Sequence, residues 1–511
     1  VRLSDLAQRF TSGRAGGRTE TGIAVAVLAA AAFVAHTHWR AKGVRGTDQY
    51  WYLSDVEMLE TTGRPIGNHI FPRFIDPLGP KTADDPPPWI HHLPVTYLVA
   101  RVNRRVKDPY RSWTITNTAL VLAGAGVVAA AAGTVAGGRV GMAAGVATLT
   151  LPSSTWLSLN ALSEAALVPL GAGLASAALA MDSGHLTTGT LALSAVSALM
   201  YLQRDNHIPQ VLASAATTWW LRSRGNVSTV TAVASSVALG ASVAIGTTRM
   251  SSAMSLLKPS EILMATIGDN TVIYTRLRWS TRTFLSKAVP GIRAATLPQG
   301  AQSALEQTLP LAVLGVSAAK LARQGSHPWL ITAAGGSVVQ YLLTAGTFGV
   351  QPRYAAPLQP LAVITAVAAY GNHRRALPVA AAASLLFATV SAGLGRHYAR
   401  EATAEARDVA VLRQALEGLP NGNVLQISED TTDALSPYVA VPRFFLSSSP
   451  HFQDKQWIAG RVVDWNVVVA LTTGDNDRLL HDALPDWSIT QIARMPIRGE
   501  QATVWRLERT P

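Results

Sequence analysis

"TGIAVAVLAAAAFVAHTHWRAKGVRGTDQYWYLSDVEM", residues 21–58, decides the fold class. Its first half, 21–38, is an unbroken apolar run, and about 18 such residues suffice to cross a bilayer. Its second half, 45–58, sets Asp48, Asp55 and Glu57 among Tyr50, Trp51 and Tyr52. Arg2, Arg9, Arg14 and Arg18 precede the apolar run, and no small-residue cleavage site follows it. The stretch is expected to enter the membrane from the cytoplasm and to deliver an acidic, aromatic loop to the outer face.

The rest of the chain repeats the apolar theme. Runs near 113–136, 140–157, 163–181, 186–202, 207–222 and 226–247 precede a polar stretch, and runs near 302–322, 328–348, 355–371 and 376–394 follow it. Lipid offers no water to open backbone groups, so each run is expected to be helical. Of 511 residues, 48% are hydrophobic and 14% charged, against about 25% charged in soluble domains. This is the composition of a polytopic α-helical membrane protein. The absence of cysteine excludes disulfides and thiolate metal sites. The net charge of +12 resides mostly in short loops between apolar runs, where it sets topology, so nucleic acid is not an expected partner. The abundance of Ala, Val and Arg resembles a GC-rich bacterial proteome, which places the chain in a bacterial plasma membrane.

Segment 89–106 decides the topology. Its apolar part is only about 13 residues, short for a span. Read as a juxtamembrane helix, it leaves eleven transmembrane helices and sends the basic loops at 222–225, 320–327 and 371–375 to the cytoplasm. The N-terminus is then cytoplasmic. Loops 39–112 and 248–300, the short loops at 152–163, 203–207 and 349–354, and residues 396–511 share the outer face. Residues 1–395 form the membrane domain and 396–511 an extracytoplasmic α/β domain. In that domain "NVLQIS", "WNVVVAL", "WSITQIAR" and "ATVWRLER" alternate as strands, after a helix over 396–420. Trp457, Trp465 and Trp487 there face two readings, glycan contact or core.

The outer face collects the candidate chemistry. A partly desolvated carboxylate is a suitable general base, and Asp48 stands about ten residues past the first helix. The competing reading makes Thr47 or Asp48 the cap of a short helix through 50–62. Asp55 is the rival base. "DDPPPWIHHLP" brings Asp84, Asp85, His91 and His92 onto a rigid approach to the membrane; these would contact a sugar, a phosphate or a divalent ion, or form a solvated turn before an interfacial anchor. Arg204, Asp205 and His207 lie at one helix end, Arg353 and Tyr354 at the start of another. Guanidinium groups suit phosphate oxygens, although Arg353 could also snorkel toward head groups. Glu164 in "LSEAAL" is costly at a membrane helix edge unless it is used or paired. The seven basic residues between Arg249 and Arg293 would hold a lipid phosphate or simply touch anionic lipid.

An aspartate soon after the first helix, then "HHLPVTYL" with His92, Leu93, Pro94 and Tyr97, then "LSEAAL" and "QPRYAAPLQPLAVI", in this order and on one face, resembles the GT-C superfamily of membrane glycosyltransferases over about residues 20–395. The resemblance implies transfer of a sugar from a polyprenyl-phosphate donor to an acceptor at the outer face. Asp48 would deprotonate the acceptor hydroxyl. Arg353 and Arg204 would hold the departing phosphate. Glu164, with Asp84 or Asp85, would bind sugar hydroxyls or an ion. The resemblance fixes no cofactor; a divalent cation (Mg, Mn or Ca) is the candidate it leaves open, since metal use varies across the superfamily. The oligosaccharyltransferase Trp-Trp-Asp-Tyr-Gly motif is missing. Arabinose or mannose are the expected sugars, and a cell-envelope glycan or lipoglycan the expected acceptor. A transporter of a lipid-linked sugar is the alternative, against which stand the lack of internal repeats and of mid-span acids. A scaffold role would rest on the outer domain alone.

Overall fold

The computed structural model describes residues 16–43, 47–63, 69–70, 93–204, 207–253, 309–348, 352–416, 423–427, 445–448, 455–464, 466–473, 476–497 and 500–509. Helix α1 (Gly16–Arg40) is followed by α2 (Thr47–Thr62), strand β1 (His69–Ile70) and α3 (Leu93–Val106). Next come α4 (Pro109–Ala136), α5 (Gly138–Thr150), α6 (Pro152–Leu159), a 3-10 turn (Ser163–Ala166), α7 (Leu167–Asp182) and α8 (Leu186–Gln203). The bundle continues with α9 (Ile208–Ser223), α10 (Thr229–Ala253), α11 (Leu309–Arg323) and α12 (Pro328–Phe348). A second 3-10 turn (Pro352–Ala355), α13 (Leu358–Tyr370) and α14 (Ala376–Leu416) complete it.

Five segments among the described residues are long and apolar enough to span a membrane: Thr21–Arg40, Pro109–Ala136, Ser163–Asp182, Leu186–Gln203 and one within Ala376–Leu416. Their outward faces, and that of α10, expose large apolar side chains such as Leu28, Leu199, Val230 and Leu385. Apolar surface of this extent fits lipid rather than water.

One expectation changes. The run at 140–157 is not one helix: Leu151 is extended, at φ −54° and ψ 137°, and the chain breaks into α5 and α6 there. Pro152 is the reason, since its ring excludes helical backbone from the residue before it. Nothing interrupts the chain at 395; α14 runs for 41 residues out of the bundle and into the terminal region as one rod. The stretch "TTGDND", 472–477, ends in α16 (Asn476–Ala483). The α3 segment is a 14-residue helix, about 21 Å long at 1.5 Å per residue, and is well short of a bilayer core.

The terminal region adds β2 (Asn423–Ile427), β3 (Phe445–Ser448), α15 (Lys455–Asp464), β4 (Val467–Thr473), α16, β5 (Trp487–Ile497) and β6 (Glu500–Arg509). Sheet order is β1-β3-β2-β4-β6-β5, parallel from β1 to β4 and antiparallel from β4 to β5. The edge strand β1 comes from the loop after the first helix, so the sheet is a joint product of residues nearly four hundred positions apart. From Val469 onward alternation along β4 sorts its two faces, after a register irregularity between β2 and β4 that leaves Val467 on the side of Ala470. Val469 and Leu471 pack with Tyr50, Leu53 and Val56 of α2, Val95 and Val99 of α3, and Leu412 of α14. Val467 and Ala470 pack under α15 and α16 with Ile458, Val462 and Leu480. The sheet therefore roofs α2 and α3. Trp487 is half-buried against that second core, which favours the core reading for it; the side chains of Trp457 and Trp465 lie outside the described residues.

Candidate active site

At the sheet-side end of the bundle three distant segments meet around one carboxylate. Glu164 lies in the 3-10 turn Ser163–Ala166 and has no exposed surface. Its Oε1 is 3.0 Å from Nη1 of Arg204, the residue that ends α8, and 3.5 Å from Nε of Arg353 in the turn Pro352–Ala355. Both guanidinium groups also lie over the Tyr354 ring, at 5.1 and 5.2 Å from its centroid. The Ser163 hydroxyl donates to the other carboxylate oxygen, and Gln203 Nε2 donates to the Ser163 carbonyl. Burying a carboxylate costs several kcal/mol unless it is paired, on the order of the loss seen when one member of a buried pair is removed. Two cations meet this anion.

The folding logic is visible in the supports. Asn117, in the apolar helix α4, donates to the carbonyls of Leu157, Asn160 and Leu162 at 3.1, 2.9 and 3.0 Å. That fixes the irregular backbone before Glu164. Gln49 holds the same loop from outside the bundle: its Nε2 donates to Asn160 Oδ1 and its Oε1 accepts from the Ala161 N–H, each at 3.0 Å. The Trp113 indole donates to the Tyr52 carbonyl, a second tie of α2 to α4. On α7, a Cβ at Gly171 would collide with the carbonyl of Pro357. The absent side chain lets the Arg353 turn approach the helix that follows Glu164.

These ties bring α2 to the cluster. Tyr52 lies near the Arg204 guanidinium. Asp48, Tyr52 and Asp55 fall on one face of α2 at helical spacing. Asp48 is in the first turn, one residue before the Gln49 clamp; its side chain lies outside the described residues. Asp55 is 8% exposed, and burial pushes its carboxyl well above the usual range, with no hydrogen-bond or ion-pair partner among the described residues. The other acids of α2 have structural duties. Glu57 pairs with Arg413 of α14, and Glu60 accepts from Asn103 of α3.

His207, which precedes α9, is buried and lines a cavity against Arg204. Asp84, Asp85, His91, His92 and Asp205 lie outside the described residues, as does the basic stretch beyond Ala253. Glu164, expected to face sugar hydroxyls or an ion, sits between two guanidinium groups that repel a cation. Among the described residues no three His, Asp or Glu converge to hold a metal. Sequence reading missed Gln49, Asn117 and Asn160. Their only signal is that amides are costly in or beside apolar helices unless they are satisfied.

No protein-family model matches the sequence, and no curated protein matches it either. Solved structures do match. The chain is similar to ArnT from Cupriavidus metallidurans bound to undecaprenyl phosphate, with TM-score 0.57 and 14% identity over 96% of this chain and 98% of that one. It is also similar to the Archaeoglobus fulgidus oligosaccharyltransferase AglB in complex with an inhibitory peptide and a dolichol-phosphate, with TM-score 0.56 and 10% identity over 93% of this chain and 73% of that one. A second structure of the Archaeoglobus enzyme, in complex with Zn and sulfate, matches at TM-score 0.55 and 10% identity over 91% of this chain and 71% of that one. The fold is that of the GT-C membrane glycosyltransferases, as the resemblance implied.

Proposed function

We propose that the protein is a membrane glycosyltransferase, moving a sugar from a polyprenyl-phosphate donor to a cell-envelope glycan or lipoglycan at the outer face. Arabinose or mannose is the sugar this reading favours. The observation that carries it is the Glu164–Arg204–Arg353 cluster, which sets two guanidinium groups side by side at the sheet-side end of the bundle. A sugar–phosphate–lipid diester bears one negative charge, and bidentate guanidinium groups suit its oxygens. The likeness to enzymes crystallised with undecaprenyl phosphate and dolichol-phosphate supports the same donor class.

In this mechanism Asp48 takes the acceptor hydroxyl proton. The oxygen attacks the anomeric carbon, the bond from that carbon to the phosphate oxygen breaks, and polyprenyl phosphate leaves with the electron pair. The phosphate gains negative charge as it departs, and Arg204 and Arg353 stabilise it where the charge develops. Glu164 holds the two guanidinium groups together. Asp55 is the weaker candidate for base, since no described polar group connects it to the cluster. The test is a transfer assay on purified protein with polyprenyl-phosphate arabinose and mannose. Asp48→Asn should abolish transfer while Asp55→Asn retains it; the reverse result moves the base to Asp55, and no transfer from either donor by the wild type overturns the donor assignment.

A further inference from the structure

We propose that Gln49 is a positioning residue for transfer, setting where the base-bearing helix α2 stands relative to the two arginines. This rests on the reading of Asp48 as the base and of Arg204 and Arg353 as the phosphate site. The two halves of that reaction come from distant segments, and one stretch, 160–164, touches both. At its start the Gln49 amide is bound on two sides: Nε2 donates to Asn160 Oδ1 and Oε1 accepts from the Ala161 N–H, each at 3.0 Å. At its end Glu164 Oε1 meets Arg204 and Arg353 at 3.0 and 3.5 Å. Gln49, Asn160, Ala161 and Glu164 are all buried.

Such a link transmits position only if it does not bend. The Tyr110 hydroxyl donates to the Leu159 carbonyl at 3.0 Å, Asn160 Nδ2 to the Trp156 carbonyl at 2.6 Å, and the Leu162 N–H to the Asn160 carbonyl at 2.9 Å. With the three carbonyls that Asn117 holds, these bonds fix the stretch in one shape. The amide also fixes a direction. Turned over, it would set oxygen against oxygen and N–H against N–H, so one orientation satisfies both bonds. The rest of α2 is tied elsewhere, by Trp113 at the Tyr52 carbonyl, by Glu57 with Arg413 and by Glu60 with Asn103. Loss of the Gln49 bonds therefore shifts the first turn, where Asp48 lies, without releasing the helix. A displacement of about 1 Å at a reacting group can cost about 10²-fold in rate.

The test uses purified protein in lipid nanodiscs and whichever of polyprenyl-phosphate arabinose or mannose the wild type consumes, followed by release of polyprenyl phosphate. Gln49→Leu should lower kcat about 10²-fold, counted per titrated polyprenyl-phosphate site, with the donor KM changed less than about twofold. Gln49→Glu keeps an acceptor for the Ala161 N–H and should recover about tenfold of that loss; it replaces the first variant if that one does not fold. In an Asp48→Asn background, Gln49→Leu should slow the residual rate no more than about twofold, because positioning acts through Asp48. An unchanged kcat, a loss matched by missing phosphate sites or by a raised KM, or a full further loss in the Asp48→Asn background overturns the inference. Failure of the base reading looks different: Asp48→Asn alone would then transfer at the wild-type rate, and the positioning role falls with it.

Discussion

The membrane segment Ser163–Asp182 carries an acid at each end, and the two are satisfied by different chemistry. Asp182 accepts the backbone N–H of Trp329 at 2.9 Å and of Leu330 at 3.2 Å, capping α12 from a neighbouring helix, with His327 at 3.5 Å. Its charge is matched to the partial positive charge of a helix N-terminus, and no full cation is left over. Glu164 meets two full cations. The first acid joins helices; the second gathers two guanidinium groups at one point. An intramembrane acid thus becomes a functional candidate only once its partners have been counted.

Several substitutions break or sharpen this contrast. The largest effect is expected from Arg204→Met, which should lower transfer by roughly 10²–10³-fold, the scale of losing one preorganised donor to a developing anion, measured by single-turnover assay. If activity survives, Arg204 has no role in the reaction. Glu164→Leu removes the anion that two guanidinium groups share and should destabilise the protein by about 3–5 kcal/mol, read from thermal unfolding in detergent. Removing Arg353 in the same chain should return part of that loss, and a strictly additive pair would show that the ions are not coupled.

Asp55 supplies the pH test. Its folded carboxyl is held above the unfolded value by burial. Below the unfolded value both states are protonated and stability is unaffected. As pH rises through that value the unfolded chain ionises first, so stability falls until the folded carboxyl ionises too. The gain in melting temperature from Asp55→Asn should therefore be larger at pH 8 than at pH 4; an equal gain at both would mean Asp55 titrates normally. The smallest effect belongs to Asp182→Ala, about 1 kcal/mol for a lost helix cap, with polyprenyl-phosphate binding unchanged. A loss of binding there would erase the distinction between the two ends.

Much of the architecture was legible in the residues. Apolar runs gave the membrane class, alternation gave four of the six strands, and Glu164, Arg204, His207, Arg353 and Tyr354 were singled out before their meeting was known. Their mutual contact was not legible, because it is made between helices by segments nearly two hundred residues apart. Nor was strand β1, two residues long and lacking any alternation to read. The role of Gln49 was hidden beside a more conspicuous neighbour, since an amide announces nothing until both its donor and its acceptor find partners.

Sequence alone determined that this chain lives in a membrane, because bilayer thickness and backbone satisfaction act on each run locally. It also determined which side chains were too costly to be idle. Tertiary structure alone decided that Glu164 meets both arginines, that α2 is clamped to the same loop one residue after Asp48, and that a strand from the loop after the first helix completes the terminal sheet. Such choices depend on which distant groups the packing brings within about 3 Å of one another, a distance at which hydrogen bonds and ion pairs operate and which no local pattern encodes.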